Sequence, residues 1–135
     1  MNYIDQKGGY IMLADESVRS PEDVVQAQLD AYNAHDTDRF VACYAEDVRV
    51  AGWPSNETRM EGRYALAAFY RLHRFNRPEL KADLQNRIVF GNTVIDHEII
   101  TGLEHHTVTA VAIYRVDNNL ISSVHFVERP PVPDR

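Results

Sequence analysis

The chain has 135 residues, 44% of them hydrophobic and 25% charged, with a formal net charge of -6. That length holds one domain and no second core, and the balance is that of a globular chain. The acidic surface carries no basic stripe and argues against nucleic acid; the apolar runs are too short to span a membrane; the lone Cys43 excludes an internal disulfide and fits a reducing cytoplasm.

Residues 1–19 show no sustained periodicity and include Gly8-Gly9, so they read as an N-terminal arm outside a single domain of residues 20–135. They have neither the basic start nor the long apolar stretch of a secretory signal. Ser20-Pro21-Glu22-Asp23 opens a first helix: serine can cap, proline suits the first turn, and the acids favour the positive end of the dipole. Val24, Val25, Gln28, Leu29 and Tyr32 recur at helical spacing until Asn33-Ala34-His35-Asp36 breaks the pattern. A short second helix is predicted from Thr37 to Tyr44, burying Phe40, Val41 and Tyr44. Cys43, inside it, reads as a small core residue.

Asp47–Ala51 alternates as a short strand, and Gly52 to Asn56 form a turn. Gly62 opens a third helix that carries Leu66, Phe69 and Tyr70 and stops at Asn76-Arg77-Pro78. Basic residues near its end, Arg71, His73, Arg74 and Arg77, complement the helix dipole. Four β-rich segments follow at about 80–90, 93–101, 107–116 and 120–128, with turns at Gly91-Asn92, Gly102 to His106 and Asp117 to Asn119. The proline-rich tail from Arg129 leaves the sheet. The plan is α+β: three N-terminal helices on one face of a curved antiparallel sheet, leaving a cone whose mouth is a natural ligand site.

This order resembles the NTF2-like superfamily, in its SnoaL-like and ketosteroid-isomerase-like branch. The matching stretches are Val24-Val25-Gln26, Tyr32-Asn33-Ala34-His35-Asp36, Tyr44-Ala45-Glu46-Asp47, the helix ending Ala68-Phe69-Tyr70, and Ile113-Tyr114-Arg115-Val116 before Leu120-Ile121. They mark turns and helix ends, and so speak for the fold more than for an activity. The resemblance to ketosteroid isomerases implies a general base, a tyrosine and a protonated aspartic acid. Those positions hold Trp53, Gln28 and Ala112 here, and only a supporting tyrosine has a match, Tyr70. The resemblance therefore carries the fold and not the isomerase chemistry.

Strand 93–101 has two faces: Ile95, His97, Ile99 and Thr101 on one, Val94, Asp96, Glu98 and Ile100 on the other. The first is more apolar, and the resemblance turns that parity into the cone. His97 would then be the proton carrier of an acid–base enzyme. On the next strand Val108, Ala110, Ala112 and Tyr114 share the inner face, the alanines leaving room for a ligand and the tyrosine offering a hydroxyl. The last strand depends on its turn. A three-residue turn puts Val124, Phe126 and Glu128 inside, a two-residue turn puts His125 there, and the resemblance favours the former. Glu128 would then partner His97 near the mouth. Trp53 could cap the pocket, and Gln28 with Tyr32 and Tyr70 would orient a carbonyl or hydroxyl from deep in the cone.

No metal is expected. His105 and His106 sit at a hairpin tip, roughly 13 Å or more from His97 at ~3.3 Å per residue. No phosphate loop, nucleophile elbow or dinucleotide fingerprint is present, so no cofactor is implied. Two functions fit: a cofactor-independent acid–base enzyme (isomerase, cyclase, dehydratase or epoxide-hydrolase-like) on an apolar carbonyl or hydroxyl compound, or a non-catalytic ligand-binding or dimeric assembly domain. Val94, Ile100, Thr107, Thr109, Val111 and Ile113 would make the outer sheet face apolar enough to seat a second copy, giving a homodimer.

Overall fold

Ser20 starts the helical layer as its sequence dictates: its side chain accepts from the Asp23 amide, and Pro21 takes the first position of α1 (Pro21–Asn33). The structure, a computed structural model, describes residues 18–129. Most of the expected arm and the proline-rich tail after Arg129 therefore lie outside the described residues. α1 buries Val24, Val25, Gln28, Leu29, Ala31 and Tyr32 on one face.

The break after α1 acts as a clamp. Asn33 donates to the Ala82 carbonyl at 3.0 Å and accepts from the Ala82 amide at 2.8 Å, pairing with that backbone as a strand would. His35 has φ 56° and bonds the Leu80 carbonyl at 2.8 Å. Asp36 caps α2 (Thr37–Val41), which ends three residues earlier than its apolar pattern suggests because Tyr44 already belongs to a strand. The strands and remaining helix are β1 (Tyr44–Trp53), β2 (Thr58–Glu61), α3 (Arg63–His73), β3 (Lys81–Phe90), β4 (Thr93–Leu103), β5 (His106–Asp117) and β6 (Leu120–Val127). β2 escaped the sequence reading because it is short and mostly exposed, with no alternating pattern to betray it.

The six strands form one sheet in the order β2-β1-β6-β5-β4-β3. β1 runs parallel to β6, and every other neighbouring pair is antiparallel. α1 lies against β3, β4, β5 and β6. Between helices and sheet sits an aromatic core in which Phe40 meets Tyr70 at 4.7 Å, Tyr44 at 5.0 Å and Phe75 at 5.2 Å between ring centroids.

Two one-residue irregularities decide which side chains face inward. The β5–β6 turn is a two-residue turn, Asn118-Asn119, both at positive φ (52° and 67°). The pairing then shifts between Arg115↔Ser123 and Val116↔Ile121, leaving Ser122 as a bulge. That extra residue restores the parity of a three-residue turn, so Phe126 stands opposite Ala112 and Val124 opposite Tyr114. The β4–β5 hairpin does the same near its tip. Leu103 pairs His106, but from Ile100↔Val108 onward the register has slipped by one. Gly102, at φ 84°, lies in the slipped stretch, where few other residues could sit.

Candidate active site

A cavity of about 730 Å³ opens between the helices and the inner face of the sheet. That is the size of a small-molecule site. α1 contributes Gln28 and Tyr32, α3 contributes Phe69 and Tyr70, and the sheet contributes Val50, Glu98, Ile100, Ala110, Tyr114 and Phe126. The walls are largely apolar, so each polar group on them stands out.

The first polar feature is a chain of neutral hydrogen bonds. Tyr44 donates its hydroxyl to Gln28 Oε1 at 2.9 Å, and Gln28 Nε2 donates to the Tyr114 hydroxyl oxygen at 3.2 Å. The Tyr114 oxygen is thus used as an acceptor, and its own proton stays available to a ligand. Burial pushes the Tyr44 and Tyr114 hydroxyls well above the usual phenol range, and takes Tyr70 to about 12. These groups remain protonated donors at any physiological pH.

The second feature is Glu98. It is 7% exposed, faces the cavity, and its Oε2 is buried with no hydrogen-bond partner among the described residues. Desolvation first, then the nearby Asp96 charge, raises its pKa from 4.5 to about 7, with Arg87 opposing. Asp96, two residues back on the same face, is fully buried but paired: its carboxylate takes Arg87 Nε at 2.7 Å and Nη2 at 2.9 Å, a bidentate fork. Gln26 Oε1 accepts from Arg87 Nη1 at 2.8 Å and ties that pair to α1.

At the rim Glu128 receives hydrogen bonds from the Ser55 amide and hydroxyl and lies 3.9 Å from Arg59. The Ser55 bonds, foremost, hold its carboxyl below the usual range. Gly52 faces it so closely that any Cβ there would collide with the carboxylate. Arg74, at the C-terminus of α3, also reaches the cavity; its guanidinium lies 4.9 Å from the Phe69 ring centroid, and Nη1 donates to the His73 carbonyl at 2.9 Å.

Of the residues expected at the site, Gln28, Tyr32, Tyr70, Tyr114, Phe126 and Glu128 line the cavity. His97 does not. The β4 parity is the reverse of that expected: Val94, Asp96 and Glu98 are buried, while His97 points to the outer face, paired with Asn86 and Val111. The expectation rested on apolar content and on the resemblance, and the register of the β4–β5 pair overrides both. The tip register, Leu103↔His106, would have put His97 on the same face as Ala112; the slip puts Asp96 there instead. Glu128 accordingly partners Ser55 and Arg59 rather than His97. Gln28 joins Tyr44 and Tyr114 rather than Tyr70. Trp53 is 52% exposed at the end of β1 and does not line the cavity. Ala112 faces inward opposite Asp96 but lies outside the lining; the alanine that opens onto the cavity is Ala110, opposite Glu98. Cys43 is buried as a core residue.

Glu98 and Arg74 are the residues the sequence reading missed. A signal for Glu98 was present. The two-residue turn at Gly91-Asn92 places Arg87 directly opposite Asp96, and an opposite-charge pair on one strand face marks the side on which Glu98 also lies. Among the described residues no cluster of three or more His, Cys, Asp or Glu could hold a metal ion, and no helix is long and apolar enough to cross a membrane.

A family model described as a SnoaL-like domain matches residues 25–124. Among solved structures, a cystatin-fold protein from Novosphingobium aromaticivorans is 21% identical, with a TM-score of 0.74 over 82% of this chain and 100% of its own. An NTF2-like protein of unknown function from Cytophaga hutchinsonii is 19% identical, with a TM-score of 0.68 over 82% of this chain and 91% of its own. A protein from Kribbella flavida named a candidate ketosteroid isomerase is 20% identical, with a TM-score of 0.68 over 85% and 84%. At these identities the likeness is one of fold. No curated protein matches the sequence.

Proposed function

The chain belongs to the SnoaL-like family, and we propose that this member is a cofactor-independent acid–base enzyme acting on an apolar, carbonyl-bearing compound, with Glu98 as its proton carrier. The observation that carries the reading is the Glu98 carboxyl itself: buried, unpartnered at Oε2, facing a ligand-sized cavity, and half ionised near neutral pH. A carboxyl of that pKa both takes and returns a proton efficiently. His97 has no part in it.

The step follows from the groups present. The Glu98 carboxylate removes a proton from the carbon next to the substrate carbonyl. Negative charge grows on the carbonyl oxygen, where the free hydroxyl proton of Tyr114, aligned by Gln28, stabilises it. Where a carbon–carbon double bond lies beyond that carbon, the charge spreads into a dienolate, and protonated Glu98 returns the proton to its far carbon, shifting the double bond, which is isomerisation. Alternatively the enolate attacks an electrophilic carbon of the same molecule, and Glu98 protonates the resulting alkoxide, which is cyclisation.

The test is proton exchange. Steroid, aromatic polyketide-like and terpenoid ketones that raise the melting temperature are incubated with the protein in D₂O, and deuterium uptake next to the carbonyl is followed by NMR. Uptake is expected to fall by about 10²-fold or more in Glu98→Gln, the usual size of a general-base contribution. Uptake that is unchanged in Glu98→Gln, or absent with every stabilising ketone, sinks the proposal. The latter outcome favours a second reading, a binding domain without turnover, which the neutral Tyr44–Gln28–Tyr114 chain supports.

We propose also that the outer sheet face seats a second copy of the chain. It carries Ile88, 60% exposed, beside Ile95 and Ile113 in register, and not Val94 or Ile100, which face inward. Sedimentation at micromolar concentration is expected to show a dimer; a monomer there ends that proposal.

A further inference from the structure

We infer that the ligand of this cavity is a carboxylate: an apolar body whose carboxyl group docks on Arg74 while its reactive carbon lies beside Glu98. The inference rests on the acid–base reading of the same cavity and adds the chemical class of the substrate.

The cavity concentrates cations in an acidic protein. Arg59, Arg74 and Arg129 all line it, on a chain whose net charge is -6. Two of the three have visible structural duties. Arg59 faces Glu128, itself held by Ser55, and Arg129 is exposed and donates to the Thr109 carbonyl at 3.1 Å. Arg74 is different. Among the described residues it has no carboxylate within ion-pair distance; its contacts are the Phe69 ring and the His73 carbonyl. A guanidinium has five N–H donors in a planar fork, so most of those of Arg74 remain for a ligand. Phe69 supports the fork from one side and restricts it before any ligand arrives.

The placement also suits one molecule. Arg74 and Glu98 both act on the hydroxyls of Tyr32 and Tyr70, so the two charges stand about one tyrosine pair, inside a single cavity. The walls of that cavity include apolar side chains such as Phe69, Ile100, Val108 and Phe126. One planar cation without a carboxylate partner, apolar walls and a proton carrier in the same cavity match a carboxylic acid with an apolar body. A phosphate ester would call for more donors around its three oxygens.

The test is calorimetric titration of the full chain at pH 8 with 2-naphthoic acid and with lithocholic acid, each beside its primary amide of the same shape. At least one acid is expected to bind about tenfold or more tightly than its amide, as a charge-assisted pair provides. Arg74→Gln should bring acid and amide within about twofold, Arg74→Lys should keep part of the preference, and Arg71→Gln, exposed on the same helix and outside the cavity, should keep it. In the unsubstituted protein, rising salt should weaken the acid and spare the amide, a readout independent of any variant's folding. Equal binding of acid and amide, a preference that survives Arg74→Gln, or no binding of either acid up to millimolar concentration overturns the inference. Exchange of neutral ketones that is lost in Glu98→Gln, together with equal binding of acid and amide, overturns the carboxylate and leaves the acid–base reading standing. An Arg74-dependent acid preference without Glu98-dependent exchange supports the carboxylate and removes the acid–base role.

Discussion

Asp96 and Glu98 stand two residues apart on the same face of one strand, both buried, and they meet opposite fates. Asp96 lies over the back of the cone, where Arg87 reaches across from β3 and satisfies both its oxygens. Glu98 lies one step nearer the mouth, where the opposing residue is Ala110 and the space above it is cavity. The same chemical group becomes a structural ion in one place and a titrating group in the other. Burial without a partner is what raises the pKa of a carboxyl.

The largest expected effect comes from breaking the paired side. Arg87→Met leaves the Asp96 charge buried and alone, and should cost about 3–5 kcal/mol in urea unfolding. It also removes the charge that opposes the upward shift of Glu98, so Glu98 should titrate higher than about 7. If Arg87→Met is as stable as the parent, the contrast between the two carboxylates is false.

Glu98→Gln should do the reverse and stabilise the fold. A carboxyl whose pKa rises from 4.5 to about 7 on folding binds more protons in the folded than in the unfolded chain. Its protonated form suits the fold, and stability is lost as pH rises from 4.5 through 7. The shift of about 2.5 units corresponds to about 3 kcal/mol at pH 8. Glu98→Gln should recover that difference at pH 8 and be neutral near pH 4, measured as the difference between two urea series. In exchange assays on the unsubstituted protein, the rate should climb with pH through about 7 and then level off, as for a base that must be ionised. A rate flat across that range would separate the pKa from the chemistry.

Tyr114→Phe sharpens the comparison from the ligand's side. It strands the Gln28 amide donor, at about 1–2 kcal/mol, and removes the proton available to a carbonyl oxygen. Exchange should fall about 10- to 100-fold with binding of the ketone little changed. The smallest effect belongs to His97→Ala on the outer face, where exchange should be unaffected and stability should move by about 0.5 kcal/mol or less. A large loss of exchange there would return the proton carrier to the position first read from the sequence.

Much of the architecture was legible before any coordinates. The serine–proline start of α1, the Asn33–Asp36 break, the glycine-led α3 and the four β-rich segments each follow from local chemistry, and each falls within a few residues of its place. So did the inner face of β5, because alternation within one strand needs no partner to be read. Gln28, Tyr32, Tyr70 and Tyr114, placed by helical spacing and by the alternation of β5, all line the cavity.

What only the tertiary structure decided was the face of β4, and with it which of its titratable side chains reaches the cavity. Two bulges of a single residue, at Ser122 and beside Gly102, set inner against outer on two strands. The resemblance gives the parity of β6 correctly, whereas for β4 the resemblance and the apolar content both point the His97 face into the cone, opposite to what is found. A bulge leaves no periodic trace in a sequence, yet one extra residue exchanges every side chain beyond it. Apolar content misleads at β4 for a related reason. It counts Asp96 and Glu98 as polar and sends them to water, whereas Arg87 pairs with Asp96 inside and Glu98 faces the cavity at a raised pKa. Composition and spacing determined the fold and most of the pocket, because those depend on neighbours in the chain. Which carboxyl stands unpaired beside the cavity depended on strands meeting across the sheet, and a linear pattern does not contain that meeting.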